Sequence, residues 1–213
     1  MQPLFLVVLF HVTPLSILTD RITFMSRVRT FIAIEPGEPI QAAGEDLAHR
    51  FSKSVDGVRW VQKDNIHLTL KFLGDVEDRE LHSVCKVAAN VAKKVKHFSV
   101  SAKSVGAFPS NEKPSTIWIG ATDQDQKLSQ LHSSLEDALA DIGFPIERRP
   151  FKGHLTLGRA RSSRGGNPAL SELIEQYADH EFGVIAVKEL VVFSSELSRT
   201  GPTYTTIGRC PLA

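Results

Sequence analysis

The tetrapeptide His67-Leu68-Thr69-Leu70 returns unchanged as His154-Leu155-Thr156-Leu157, 87 residues further along the chain. No other feature narrows the possible folds as much. Side chains of an extended strand alternate between its faces, so each copy sets His and Thr on one face, about 7 Å apart, and two leucines on the other. The leucines need a core and the polar pair needs a groove. Two such strands, side by side or face to face, converge two imidazoles and two hydroxyls on one small ligand. That set supplies an acid, a base and two hydrogen-bond donors, which suits metal-free chemistry on a phosphate ester. The competing reading is a chance match, or two satisfied core histidines; duplication in strand-like contexts weighs against it.

With 213 residues and 42% hydrophobic content the chain can bury a full core, and one unit of two similar halves fits the repeat. A net charge of +1 argues against a protein that coats nucleic acid through bulk electrostatics. Any polyanion must meet a local patch instead. Residues 148–164 provide one, because Arg148, Arg149, Lys152, Arg159, Arg161 and Arg164 occur there without an acidic residue and bracket the second His-x-Thr copy. A Walker-type Gly-rich loop is missing from the sequence, which argues against ATP dependence.

The two cysteines, Cys85 and Cys210, have neither metal-ligand spacing nor a disulfide framework, which fits a reducing cytoplasm. Residues 1–19 carry no Lys, Arg, Asp or Glu, yet Pro3, His11, Thr13, Pro14 and Ser16 interrupt them. Neither a signal peptide nor a membrane span is expected there. Met25 leads directly into a strand-like run. Residues 1–24 are therefore expected to be an N-terminal extension outside the fold, and 25–213 a single bilobal domain that acts as a monomer.

Hydrophobic periodicity predicts strands over 29–34, 58–61, 66–73, 98–108, 116–119, 189–197 and 204–209, and at the second repeat. Helices are predicted over 39–51, 77–96, 125–142 and 169–179. Strands come in neighbouring pairs as well as alternating with helices, so the fold class is α+β: two antiparallel-rich sheets with helices on their outer faces and a cleft between. Strict alternation sets Lys71 on the face of His67 and Thr69, and points Arg159 away from His154. His49, His82, His97, His132 and His180 lack a partner pattern and are expected at the surface. Phe31, Trp60, Trp118 and Tyr204 are candidates to stack on a base, although strand aromatics more often belong to a core.

The succession RTFIAI, GVRWVQKDNIHLTLKFLGDV, FKGHLTLGRAR, SSEL and GPTY resembles the RNA 2',3'-cyclic phosphodiesterases of the two-histidine phosphoesterase superfamily, also called 2'-5' RNA ligases. The likeness runs from about Arg29 to Leu212. It implies a bilobal fold with pseudo-twofold halves and metal-independent hydrolysis, without a cofactor, of RNA 2',3'-cyclic phosphate ends to 2'-phosphomonoesters. By that resemblance His67 is the proton donor to the 3' oxygen and His154 the base that activates water; the repeat alone leaves the two roles interchangeable. Thr69 and Thr156 would hold the phosphate oxygens, and Arg159 matches the arginine of the family's HxTLxR pattern. Alternatives are 2'-5' joining, another 2',5'-linked or cyclic nucleotide as substrate, or an RNA-end reader without turnover.

Overall fold

The structure, a computed structural model, describes residues 26–160, 167–199 and 201–213. The expected N-terminal extension, and Arg161 and Arg164 of the basic run, lie outside the described residues. The chain forms β1 (Arg27–Ile34), α1 (Glu38–Ser52), β2 (Val58–Trp60), β3 (Leu68–Glu77), α2 (Asp78–Ala92), β4 (Phe98–Pro109) and β5 (Pro114–Thr122). It continues with α3 (Lys127–Ala140), β6 (His154–Ala160), α4 (Pro168–Gln176), β7 (Glu181–Val187), β8 (Glu189–Leu197) and β9 (Pro202–Pro211). The α+β class stands. Strand β7 is the element that periodicity missed: it lies at the sheet's edge on β4, Gly183 interrupts it, and few of its side chains are buried.

Every strand pair is antiparallel, in the order β7-β4-β5-β6-β3-β1-β8-β9, with β2 added to β6. The two expected sheets are thus lobes of one curled sheet. They meet at a single residue pair, Leu68 opposite Leu155. These are equivalent residues of the two repeats, so the pseudo-twofold axis passes between them. Outward from that point each lobe adds the matching strand: β5 mirrors β1, β4 mirrors β8, and β7 mirrors β9.

The helices cross between lobes. Helix α1 follows β1 but packs on β2, β6 and β7, while α3 follows β5 but packs on α2 and β3. Each lobe therefore contains pieces of both sequence halves, which ties the lobes into one core. That core runs through Ile66, Leu68, Leu155 and Leu157, all fully buried, at roughly 1.5–3 kcal/mol per large side chain. Gly44 of α1 sits directly beneath the junction: a Cβ there would lie 3.0 Å from Ile66 and 3.1 Å from Leu157. Helix α2 begins with a capping box between Glu77 and Glu80 and buries Val84, Ala88, Val91 and Ala92. No helix among the described residues is long and apolar enough to cross a membrane.

Candidate active site

Residues 67–72 and 154–159 share one burial pattern: half-buried, buried, half-buried, then two buried in succession, then exposed. The doubled burial marks a β-bulge in each strand. On β3 the partner of Ala33 is Thr69 but that of Ile32 is Lys71, so Leu70 is the extra residue. On β6 the partner of Trp118 is Thr156 but that of Ile117 is Gly158, so Leu157 is the extra residue. A bulge resets alternation and re-aims the side chains beyond it. Two expectations change as a result. Arg159, which strict parity sent away, comes to the face of Thr156 and lines the cleft. Lys71, which strict parity put beside His67, turns into the protein.

The cleft has a volume of about 540 Å³, and His67, Thr69, Thr156 and Arg159 all line it. The antiparallel Leu68–Leu155 contact sets His67 on the side of Thr156 and Thr69 on the side of His154. His154 stands next to the cleft rather than in its lining, half-buried between Phe108, 5.0 Å away between ring centres, and Trp118, at 6.5 Å. His67 stacks on Phe31 at 4.8 Å and meets Tyr204 edge-on at 5.2 Å. Phe31, with Phe193 and Ala33, forms a small second core behind this wall. Of the aromatic candidates, Phe31 and Trp118 are buried, and Trp60 and Tyr204 line the cleft partly exposed. The lining also includes Phe72, Arg29 and Arg59, which the sequence did not single out. Phe72 occupies the place on β3 that Arg159 holds on β6.

Both imidazoles are held below their ordinary range. Burial lowers His67 to about 4, against a backbone hydrogen bond to Asn65 that raises it, and the charge of His154 lowers it further. Burial also lowers His154, opposed by its hydrogen bond to Lys152, with Arg159 and Lys152 adding to the lowering. His154 Nδ1 lies 2.7 Å from the Lys152 carbonyl oxygen. A carbonyl can only accept, so Nδ1 carries the proton and Nε2 keeps a free lone pair. Tyr204 is raised by burial and drawn down by Arg159 and Arg29, which puts its hydroxyl within the field of both guanidiniums.

Lys71 is buried, with its ammonium 2.7 Å from Glu136 and 2.7 Å from the Pro145 carbonyl. Glu136 also accepts from the Glu147 backbone N–H at 2.8 Å. His132, expected at the surface, is buried here: it lies 3.6 Å from Glu136 and stacks on Phe151 at 4.1 Å. His132, Glu136 and Glu147 offer ligand atoms within 4.8 Å of one another. The Lys71 ammonium already neutralises that carboxylate, however, and the cluster lies on the core side of β3. The cleft lining itself contains no Asp, Glu or Cys among the described residues.

This doubled architecture matches known proteins in the same doubled way. The profile described as LigT like Phosphoesterase fits residues 34–118 and again 119–204. The chain belongs to the LigT-like phosphoesterase family. It is 30% identical over 184 residues to the RNA 2',3'-cyclic phosphodiesterase of Aquifex aeolicus (strain VF5), covering 86% of this chain and 96% of that one. The enzyme of the same name from Thermotoga maritima (strain ATCC 43589 / DSM 3109 / JCM 10099 / NBRC 100826 / MSB8) is 30% identical over 183 residues, 86% of this chain and 95% of its own. Among solved structures, E. coli LigT complexed with 3'-AMP superposes with a TM-score of 0.68 at 25% identity, over 88% of this chain and 99% of that one.

Proposed function

We propose that the protein hydrolyses RNA 2',3'-cyclic phosphate ends to 2'-phosphomonoesters, with His67 as acid, His154 as base, and Thr69, Thr156 and Arg159 holding the phosphate. What carries this reading is one placement: two imidazoles and two hydroxyls share one face of a two-strand junction, with a guanidinium beside them and no carboxylate among the described lining residues. A cyclic phosphate needs water deprotonated on one side of phosphorus and the ribose oxygen protonated on the other. Two histidines separated by two phosphate-binding threonines suit such an in-line displacement.

The local charges support the division of labour. Arg159 and Lys152 both act on His154 and favour its neutral form, whose free Nε2 can take a proton from water. His67 is lowered chiefly by burial, with no arginine or lysine among the described residues adding to it, so an arriving phosphate anion raises it and loads the acid. Arg159 meets the charge that spreads over the phosphoryl oxygens in the transition state. A cleft whose described lining residues include neither carboxylate nor thiolate supports metal independence, since a hard cation would find no anionic ligand among them.

The test is incubation with an oligonucleotide ending in a 2',3'-cyclic phosphate, in excess chelator, with the product identified by mass and phosphatase sensitivity. A 2'-phosphomonoester is expected. Absence of turnover overturns the activity, and turnover abolished by the chelator overturns the metal-free mechanism.

A further inference from the structure

The cleft holds more positive charge than one cyclic phosphate can use. Arg29, Arg59 and Arg159 all line it, with no acidic residue among the described lining residues. Arg159 is accounted for by the phosphate beside His154. Arg59 and Arg29 remain.

Arg59 sits on β2 directly opposite Arg159 on β6. Like charges facing each other across a strand pair destabilise the pair, and anions lying along the cleft offset that cost. The Arg59 guanidinium extends toward the turn between β8 and β9 on the other lobe, 3.7 Å from where a Cβ on Gly201 would stand. It thus spans the cleft. Arg29 approaches from the opposite lobe; its cross-strand neighbour is Asp75, yet no ion pair forms between them. Elsewhere Arg209 pairs with Glu35 and Glu189, and Arg27 and Arg79 with Glu77. Among the described residues no carboxylate pairs with Arg29 or Arg59, and both line the cleft.

We propose that Arg59 and Arg29 bind backbone phosphates of the RNA strand leading to the cyclic end, so that the cleft takes an oligonucleotide terminus in preference to a free cyclic mononucleotide. This rests on the cyclic phosphodiesterase reading above. A cyclic mononucleotide brings a single negative charge, which Arg159 and the threonines meet. An oligonucleotide brings one more charge with each preceding linkage, and guanidiniums pair with phosphate through parallel N–H donors. Such contacts position a strand without reading its sequence.

The experiment compares a trinucleotide ending in a 2',3'-cyclic phosphate with a 2',3'-cyclic mononucleotide, on the full chain and on Arg59→Ala, Arg59→Lys and Arg29→Ala. Arg59→Ala is expected to raise KM for the trinucleotide about tenfold with kcat little changed, the size of a lost hydrogen bond to a charged group. Mononucleotide hydrolysis stays within about twofold, and Arg59→Lys recovers part of the loss. The dependence of log(kcat/KM) on log salt for the trinucleotide becomes shallower by about 0.7 for each arginine removed. Equal losses on both substrates, or no loss on either, overturn the proposal. Failure of the unaltered protein on both substrates overturns the underlying activity instead, so the two failures are distinguishable.

Discussion

The two His-Leu-Thr-Leu strands share a sequence, a bulge and a burial pattern, yet diverge at the two residues after the bulge. On β3 these are Lys71 and Phe72; on β6 they are Gly158 and Arg159. The first position of each pair points into the protein, the second into the cleft. In the proposed reaction the shared part lays out a symmetric set of hydrogen-bonding groups around phosphorus. The unshared part makes one side cationic and the other aromatic, and that asymmetry is what can give two identical histidines different tasks.

The largest effects test the shared part. His67→Ala and His154→Ala are each expected to lower kcat by about 10² to 10⁴ on a cyclic-phosphate oligonucleotide, the range for removing a general acid or base. Steady-state kinetics with circular dichroism as a fold control measures this. A variant that keeps full activity removes that histidine from the mechanism.

Next comes the inward position. Lys71→Met leaves the Glu136 carboxylate buried without its cation, which costs about 3–5 kcal/mol; Lys71→Met with Glu136→Leu removes both charges and recovers most of it. Urea denaturation reads both values. Gly158 has no room for such a partner, because a Cβ there would lie 2.7 Å from the Trp60 ring and 2.9 Å from Val58. The mirrored position is filled by β2, the strand that carries Arg59. If the double variant is as unstable as the single one, the buried pair is not what Lys71 is there for.

The outward position follows. Arg159→Ala is expected to lower kcat/KM about 10²-fold, as removal of a transition-state donor does, while Phe72→Ala costs less than about tenfold. The two variants are compared on one cyclic-phosphate substrate. The reverse order would mean that the cationic side of the cleft is not the side where charge develops.

These divergent residues also mark where the sequence stopped being legible. The repeat, the α+β order and the meeting of His67, Thr69 and Thr156 follow from alternation and side-chain type, which sequence displays directly. Lys71 and Arg159 were misdirected because alternation was carried through Leu70 and Leu157, and a bulge is a backbone event those leucines do not announce. One signal existed: a glycine inside a strand pattern often marks a bulge or a close approach, and Gly158 is both. The duplication would then have carried the correction to Lys71. His132 is misplaced for a different reason: Glu136 lies one turn away on its own helix, but Lys71 and Phe151 come from separate segments, the first brought to it by the crossing of α3 onto β3.

The last expected effect concerns pH and again separates the two histidines. His67 has a folded value of about 4 against about 6.5 for an exposed imidazole, so between these values the unfolded chain binds the extra proton and the folded chain does not. Its neutral burial therefore favours folding fully above about pH 6.5, and this contribution is lost as pH falls from there toward 4. His67→Gln cannot charge, so its urea midpoint should fall less steeply than that of the unaltered protein across this window and in parallel above it. Phosphate should oppose the loss, because an anion in the cleft raises the imidazole and its binding takes up a proton; calorimetry in buffers of different ionisation enthalpy detects that uptake. His154 is lowered by neighbouring cations as well as by burial, and these go on opposing its protonation when phosphate is bound. Proton uptake on phosphate binding should accordingly survive His154→Gln and vanish in His67→Gln, and the opposite result would exchange the acid and the base.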